Sequence, residues 1–289
     1  MRDHFSPSPS VVVGVDGSRS AVDAALWAVN EAVSRDIPLR LVYAIDPADA
    51  ASADPQDSAR TLARAEVAVR QAFTAVESTN EPVKIEVEIL HDRPTSALLR
   101  ASRAAAVLCV GAMGLKHSAK GRIGSTAASL ASAARCPVAI IHGHDPLHAQ
   151  RHWVVAEVDE SANSDGVLRR ALDEARLRGA PLRVVTAWQS RVTDVHDGQA
   201  VADGTRLARA QLDRRLGPWR KRYPDLDVHV VAVHGSTLNY LTTHSSAIQL
   251  LVVGRERAQG IKSLVGPPGY AALHNAACSL LICESQNVL

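Results

Sequence analysis

Aromatic side chains are scarce, at 3% of 289 residues, and the apolar residues are mostly Ala, Val and Leu, which suits packed helices on a buried sheet better than a β-sandwich. Only four cysteines occur, Cys109, Cys136, Cys278 and Cys283, and all sit in or beside apolar runs with no metal-ligand or redox spacing. We read them as buried reduced thiols, which fits a cytoplasmic location. The formal net charge is only +2, too small to point to nucleic acid or a membrane surface. No apolar run is long enough to cross a bilayer. The first residues are polar with Ser-Pro repeats and have no apolar signal-peptide core, so residues 1–9 are expected to be a disordered tail. The motifs G-x-x-x-x-G-K-[ST], H-E-x-x-H and G-x-S-x-G are missing, and no paired carboxylates or nucleophile–base set stands out. The sequence carries no positive sign of catalysis.

What the chain does have is Ala, Val and Leu in patterned runs. Val11-Val12-Val13-Gly14-Val15 is continuous and apolar, as in a strand buried on both faces. It stops at Asp16-Gly17-Ser18, a turn followed by helix-cap chemistry. Val22, Leu26, Val29 and Val33 then recur at helical spacing up to about Arg35. Leu39 to Ile45 reads as a second strand. A polar loop covers Asp46 to Asp57, and a helix follows with Leu62, Val69, Phe73 and Val76 as its expected buried stripe. Val83 to Ile89 alternates strictly, as an edge strand does. Pro94-Thr95 opens a short helix, and Val107 to Val110 is a further buried strand. Strands alternating with helices predict an α/β fold, a parallel sheet with helices on both faces.

The same pattern then starts again. Asp16 matches Asp159, Pro38-Leu39-Arg40 matches Pro181-Leu182-Arg183, His91 matches His234 and Gly111 matches Gly254, all at an offset of 143. Gly124 and Cys136 match Gly266 and Cys278 at an offset of 142. The chain is therefore two copies of one domain with a single deletion between Gly111 and Gly124. The expected division is residues 10–143, a linker at 144–151, and residues 152–285. His142, His144, His148 and His152 lie in or beside that linker, and their loose spacing reads as solvated histidines before a metal site.

The first copy holds the most informative stretch. The strand ending at Val110 opens into Gly111-Ala112-Met113-Gly114, and nine residues later Gly124-Ser125-Thr126 starts an alanine-rich helix. Free N–H groups and the helix dipole favour an anion at such a start. Gly111, Gly114 and Gly124 allow a phosphate to approach the backbone or the chain to take positive φ. Lys116, His117, Lys120 and Arg122 bring positive charge. A flexible connection with solvated charges is the alternative. Asp16 suits either a sugar hydroxyl or adenine amino group, or an Asx turn.

Gly111-x2-Gly114-x9-Gly124-Ser125, together with Val-Gly-Val-Asp16-Gly-Ser, resembles the universal stress protein family over essentially the whole chain, in the tandem form found in actinobacteria. The resemblance implies a five-stranded, Rossmann-like parallel sheet in each module and intramolecular pairing through the fifth strands, Val138 to Ile141 with Leu280 to Cys283. It leaves homodimerisation open. It implies ATP, with or without Mg²⁺, as the cofactor, and a stress-response regulator read by an unidentified protein partner. By position, Asp16 would contact adenine or ribose, Gly14 and Val15 the base pocket, and Ala44 the adenine. Val110 and Gly111 would bracket the ribose, and Met113, Gly114, Gly124, Ser125 and Thr126 would hold the phosphates. A cyclic nucleotide ligand, a slow ATP hydrolase and a nucleotide-free scaffold are the other readings.

The second module departs from this pattern. Gly114 becomes Arg257, Gly14 becomes Glu157, and Gly124-Ser125-Thr126 becomes Gly266-Pro267-Pro268. Proline removes backbone donors where phosphates need them. The second module is therefore expected to bind ATP weakly or not at all.

Overall fold

A computed structural model describes residues 9–48, 55–115, 123–143, 152–161, 164–189, 198–257, 260–275 and 278–284. The N-terminal tail, the linker, and Lys116, His117, Lys120, Arg122, His144 and His148 lie outside the described residues. The chain divides into two units, Met1–His144 and Asp145–Leu289.

The first unit runs β1 (Ser10–Gly14), α1 (Arg19–Arg35), β2 (Leu39–Ile45), α2 (Pro55–Glu77), β3 (Ile85–His91), α3 (Pro94–Ala101), β4 (Ala105–Gly111), α4 (Ser125–Ala133) and β5 (Val138–Ile141). Its strands are all parallel in the order β3-β2-β1-β4-β5. Val11, Val12 and Val13 and the β4 residues Val107, Leu108 and Cys109 are fully buried, which is why the two central strands read as unbroken apolar runs. The alternating segment is the edge strand β3, displaced two residues from the sequence expectation.

The second unit repeats this with β6 (Trp153–Glu157), α5 (Ser164–Leu177), β7 (Leu182–Trp188), α6 (Gly198–Arg222), β8 (Val228–His234), α7 (Thr237–Thr243), β9 (Ile248–Gly254), α8 (Lys262–Val265), α9 (Pro267–Asn275) and β10 (Ser279–Cys283). Its order is β8-β7-β6-β9-β10, again parallel. The repeat extends to small irregularities. The pairing of β1 with β4 shifts register between Ser10 and Val11, and that of β6 with β9 shifts between Trp153 and Val154.

The helix faces differ from the periodicity reading. α1 buries Ala21, Ala24, Ala25, Ala28 and Ala32 with Trp27 and Val29, while Val22, Leu26 and Val33 are only half-buried. In α2 the buried set is Ala65, Ala68, Val69, Ala72 and Val76, Phe73 is half-buried, and Leu62 is exposed. Small side chains let these helices sit close to the sheet, so alanine takes the central positions and larger apolar residues flank them. Ser18 caps α1, its Oγ accepting from the Ala21 N–H at 3.1 Å. α1 ends on Asp36 in the left-handed region at φ 53°. All four cysteines are buried thiols outside any disulfide, and burial pushes the Cys278 and Cys283 thiols up to about 12. No helix among the described residues is long and apolar enough to cross a membrane.

Candidate functional site

In the first unit the chain leaves β1 towards β2 on one side and returns to its other side as β4, so the strand order reverses between β1 and β4. Gly14 pairs with Val110 at the carboxyl ends of these strands. Ligands of open α/β sheets bind in this crevice. A cleft of about 610 Å³ opens here, within the usual range for small-molecule sites.

All eleven residues singled out from the sequence line this one cleft: Gly14, Val15 and Asp16 after β1, Ala44 on β2, Val110 and Gly111 on β4, Met113 and Gly114 in the loop, and Gly124, Ser125 and Thr126 at the start of α4. The sequence does not single out a further group, Arg93, Pro94, Thr95 and Ser96 at the start of α3, along with Tyr43 on β2 and Asp46 just beyond it. The signal for α3 was present. Pro94 follows a strand end, but it was read only as a helix start.

Asp16 organises the local backbone. Its Oδ1 accepts from the Ser18 N–H at 2.9 Å, an Asx turn, and its Oδ2 accepts from the Leu115 N–H at 3.1 Å. The Ser18 hydroxyl donates to the Met113 carbonyl at 3.4 Å. The aspartate therefore ties the turn after β1 to the loop after β4. The loop is closed at its base by Ala112 N–H to Ile141 O and Gly124 N–H to Ala112 O, both 2.8 Å.

The four glycines divide by role, and none of them has positive φ. A Cβ on Gly111 would stand 2.4 Å from Ser20 Oγ, on Gly14 2.8 Å from Leu98 Cδ1, and on Gly114 2.6 Å from Asp16 Oδ2. Gly111 is required by the protein's own packing, since its Cβ would also stand 2.6 Å from the Ser20 backbone, whereas at Gly14 and Gly114 the near atoms are the movable ends of Leu98 and Asp16. A Cβ on Gly124 meets nothing closer than Ala112 O at 3.5 Å, an ordinary contact. Gly124 is the N-cap of α4, with φ −55° and ψ 148°, and it offers no side-chain cap. The N–H groups of Ser125, Thr126 and Ala127 occupy the first turn, where no intrahelical acceptor exists. The donors proposed for phosphate are thus Ser125, Thr126 and Ala127, since the Gly124 amide is already used.

The corresponding cleft of the second unit is smaller, about 370 Å³. Glu157 and Arg257, at the positions of Gly14 and Gly114, meet across it. The guanidinium donates Nε to Oε2 at 3.0 Å and Nη2 to Oε1 at 2.6 Å. Arg257 Nη1 donates to the Gly260 carbonyl at 3.1 Å and to Ser263 Oγ at 2.6 Å. The Thr237 hydroxyl donates to Glu157 Oε1 at 3.1 Å. Arg257 is buried and Glu157 is largely covered, with side-chain exposures of 4% and 11%.

Asp159, the counterpart of Asp16, faces its own turn. Its Oδ1 accepts from the Ser161 and Ser164 hydroxyls, and Arg215 donates to its carbonyl at 2.6 Å. Burial pushes the Asp159 carboxyl up, but the two serine hydroxyls, the Ser161 N–H and Arg215 outweigh it and hold the group below the usual carboxylate value. At the start of α9, Pro267 and Pro268 carry no N–H, and a Cβ on Gly269 would stand 2.2 Å from the Leu264 carbonyl. α8 therefore lies against the helix start. Among the described residues no group of three or more His, Cys, Asp or Glu is placed to hold a metal ion.

Comparison with known proteins agrees with the fold. The family model described as "Universal stress protein family" matches residues 9–142 and 151–284. Universal stress protein Rv2028c of Mycobacterium tuberculosis is 50% identical over 279 residues, covering 96% of this chain and 97% of that protein. Universal stress protein Rv3134c of the same organism is 43% identical, covering 98% of each. A crystal structure of a universal stress protein from Archaeoglobus fulgidus aligns with a TM-score of 0.68 at 15% identity, covering 96% of this chain and 97% of that one. At that identity the likeness speaks to fold alone.

Proposed function

Because the chain belongs to the universal stress protein family along both of its halves, we propose that it is a nucleotide-binding stress-response regulator with ATP in the first module only. The observation that carries this reading is the start of α4. Three backbone donors there have no intrahelical acceptor, in the lining of a 610 Å³ cleft, behind a glycine that no packing contact requires. Ser125, Thr126 and Ala127 would donate to the phosphates. Val15, Ala44 and Val110 would take the base and ribose. Mg²⁺ commonly takes one or two carboxylates with substrate phosphates, and among the described residues Asp46 and Asp16 are the carboxylates in the cleft lining. When bound, the ion would offset phosphate charge, while the chain's own part is to orient the phosphates.

The reading is of a binding protein acting in the cytoplasm. Asp16, the carboxylate closest in sequence to β1, accepts two backbone N–H bonds, which suits a positioning group better than a general base. Nucleotide bound between Asp16 and α4 would fix the segment around Met113 and Gly114 and so alter a surface available to a protein partner.

Titration calorimetry with Mg²⁺ and ATP tests the reading. One site per chain is expected. Two equal sites, or none, would overturn it. Competition by cAMP, which lacks the β- and γ-phosphates, is expected to be weak. Equal affinity for cAMP would reassign the ligand to a cyclic nucleotide.

A further inference from the structure

The second module has lost two glycines at once, and the replacements are partners. Glu157 ends β6 and Arg257 follows β9, 100 positions apart in sequence, yet they form a bidentate pair across the cleft. Every nitrogen of the guanidinium is engaged: Nε and Nη2 with the Glu157 carboxylate, Nη1 with Gly260 O and Ser263 Oγ. Ser263 Oγ also donates to Gly260 O at 2.8 Å. The pair thus joins the end of β6 to the segment Gly260–Ser263 and to the start of α8. Gly260 itself takes φ +68° to make this turn.

We propose that the Glu157–Arg257 pair is an internal latch that spans the second cleft and ties the end of β6 to Gly260 and Ser263. The cleft bears the opposite charge from one that accepts phosphate. Among the described residues its lining has the carboxylates of Glu157, Asp159, Glu256 and Glu284 against one arginine, Arg257. A polyphosphate entering it would have to displace a buried, fully hydrogen-bonded guanidinium and face three further carboxylates. The second module thus anchors Gly260 and Ser263 through its own side chains and needs no ligand to do so. The latch stands on the geometry of the second module alone. Only its description as a stand-in for nucleotide rests on the reading of the first.

Amide hydrogen exchange of the full chain, read by mass spectrometry on the peptide containing residues 263–266, tests this. The Ser263, Leu264, Val265 and Gly266 amides donate to Gly260, Ile261, Ile261 and Lys262 carbonyls, so exchange requires the segment to open. Glu157→Gln removes the anion, and Arg257→Lys keeps the charge but loses the fork that reaches Gly260 and Ser263. Each is expected to speed exchange at these amides at least about tenfold, since breaking a buried pair is strongly destabilising. Arg257→Lys keeps the test valid if Glu157→Gln does not fold. Saturating ATP is expected to leave the wild-type exchange of this peptide unchanged. Exchange within about twofold of wild type in the folded variants would overturn the latch, and so would protection of this peptide by ATP. Neither outcome depends on whether the first module binds ATP, which calorimetry reports separately.

Discussion

Replacing Ser125 by proline is the sharpest probe of the first cleft. Ser125 is the first residue of α4 and is exposed. Proline is accommodated at that position because its fixed φ suits the first turn and its missing N–H has no intrahelical acceptor. Gly124 at ψ 148° already has the extended conformation that a following proline demands. The second module carries proline at the equivalent position, Pro267, with α9 intact. The helix is therefore expected to survive, while one backbone donor to phosphate disappears. A hydrogen bond to a charged group contributes about 1.5–3 kcal/mol, so ATP affinity should fall about tenfold to 150-fold. Ser125→Ala removes only the hydroxyl, and the difference between the two variants isolates the amide. Calorimetry with ATP and Mg²⁺ measures both, with urea unfolding as the control for stability. If Ser125→Pro binds ATP within about twofold of wild type, the start of α4 is not the phosphate cradle. A proline at Gly124 would be a poorer probe, because the Gly124 N–H closes the loop on Ala112 O.

Gly111→Ala drives a Cβ to 2.6 Å from the Ser20 backbone and should cost about 1–3 kcal/mol. Gly124→Ala meets no clash and should weaken ATP binding with stability kept within about 1 kcal/mol; urea midpoints set beside calorimetry separate the two effects. Asp36 and Gly179 occupy the same helix-ending position in the two modules, at φ 53° and φ 58°. Asp36→Gly should therefore stabilise by about 0.5–1 kcal/mol and Gly179→Ala destabilise by about 1 kcal/mol, and equal signs in denaturant unfolding would refute the shared geometry. Asp159 is held below its ordinary value in the folded chain. Its contribution to stability is thus fully present above the unfolded value, about 3.9, and is lost as pH falls through the folded one. Removing the Ser161 and Ser164 hydroxyls together should raise the folded value and move acid unfolding of the second module to higher pH. An unshifted acid midpoint, followed by tryptophan fluorescence, would count against the assignment.

Local chemistry was legible in the sequence wherever one stretch of chain contains the whole feature. The short, valine-rich run Val11–Val15 reads as a buried strand by its length and β-branching, and Gly124-Ser125 after a strand and loop reads as a helix start. Ten of the eleven candidate residues lie in or beside such stretches, Ala44 is named only by the family resemblance, and the fold brings all eleven to one cleft. Features that need two distant segments were not legible. Arg93 and Ser96 reach the cleft because α3 starts beside the crevice, which depends on strand order. The buried faces of α1 and α2 were misjudged because alanine reads as neutral in a hydrophobic pattern, although close helix–sheet packing selects for it at the centre. Gly111 and Gly114 looked like phosphate-binding glycines, but their neighbours are Ser20 and Asp16. A motif glycine can thus be fixed by the scaffold even where the motif as a whole marks a ligand site.

The pair Glu157–Arg257 makes the same point with more consequence. Taken singly in sequence, each residue is a loss, a carboxylate near a base pocket and a long side chain in a crowded loop. Taken together they are one interaction, and physics links their presence. Either charge alone in that cleft would lack its counter-charge, at a cost of about 3–5 kcal/mol, so each substitution is stabilised by the other. The same logic covers the first module, where Gly14 and Gly114 leave the room that the pair fills in the second. Asp16 follows Gly114: with no side chain at that position, its carboxylate reaches the Leu115 amide. Asp159, opposite an arginine, is held by its own serines and by Arg215. The two modules therefore differ less in fold than in what satisfies the cleft. The first leaves helix-start donors available to a ligand. The second satisfies its loop from within and retains proline where those donors would be.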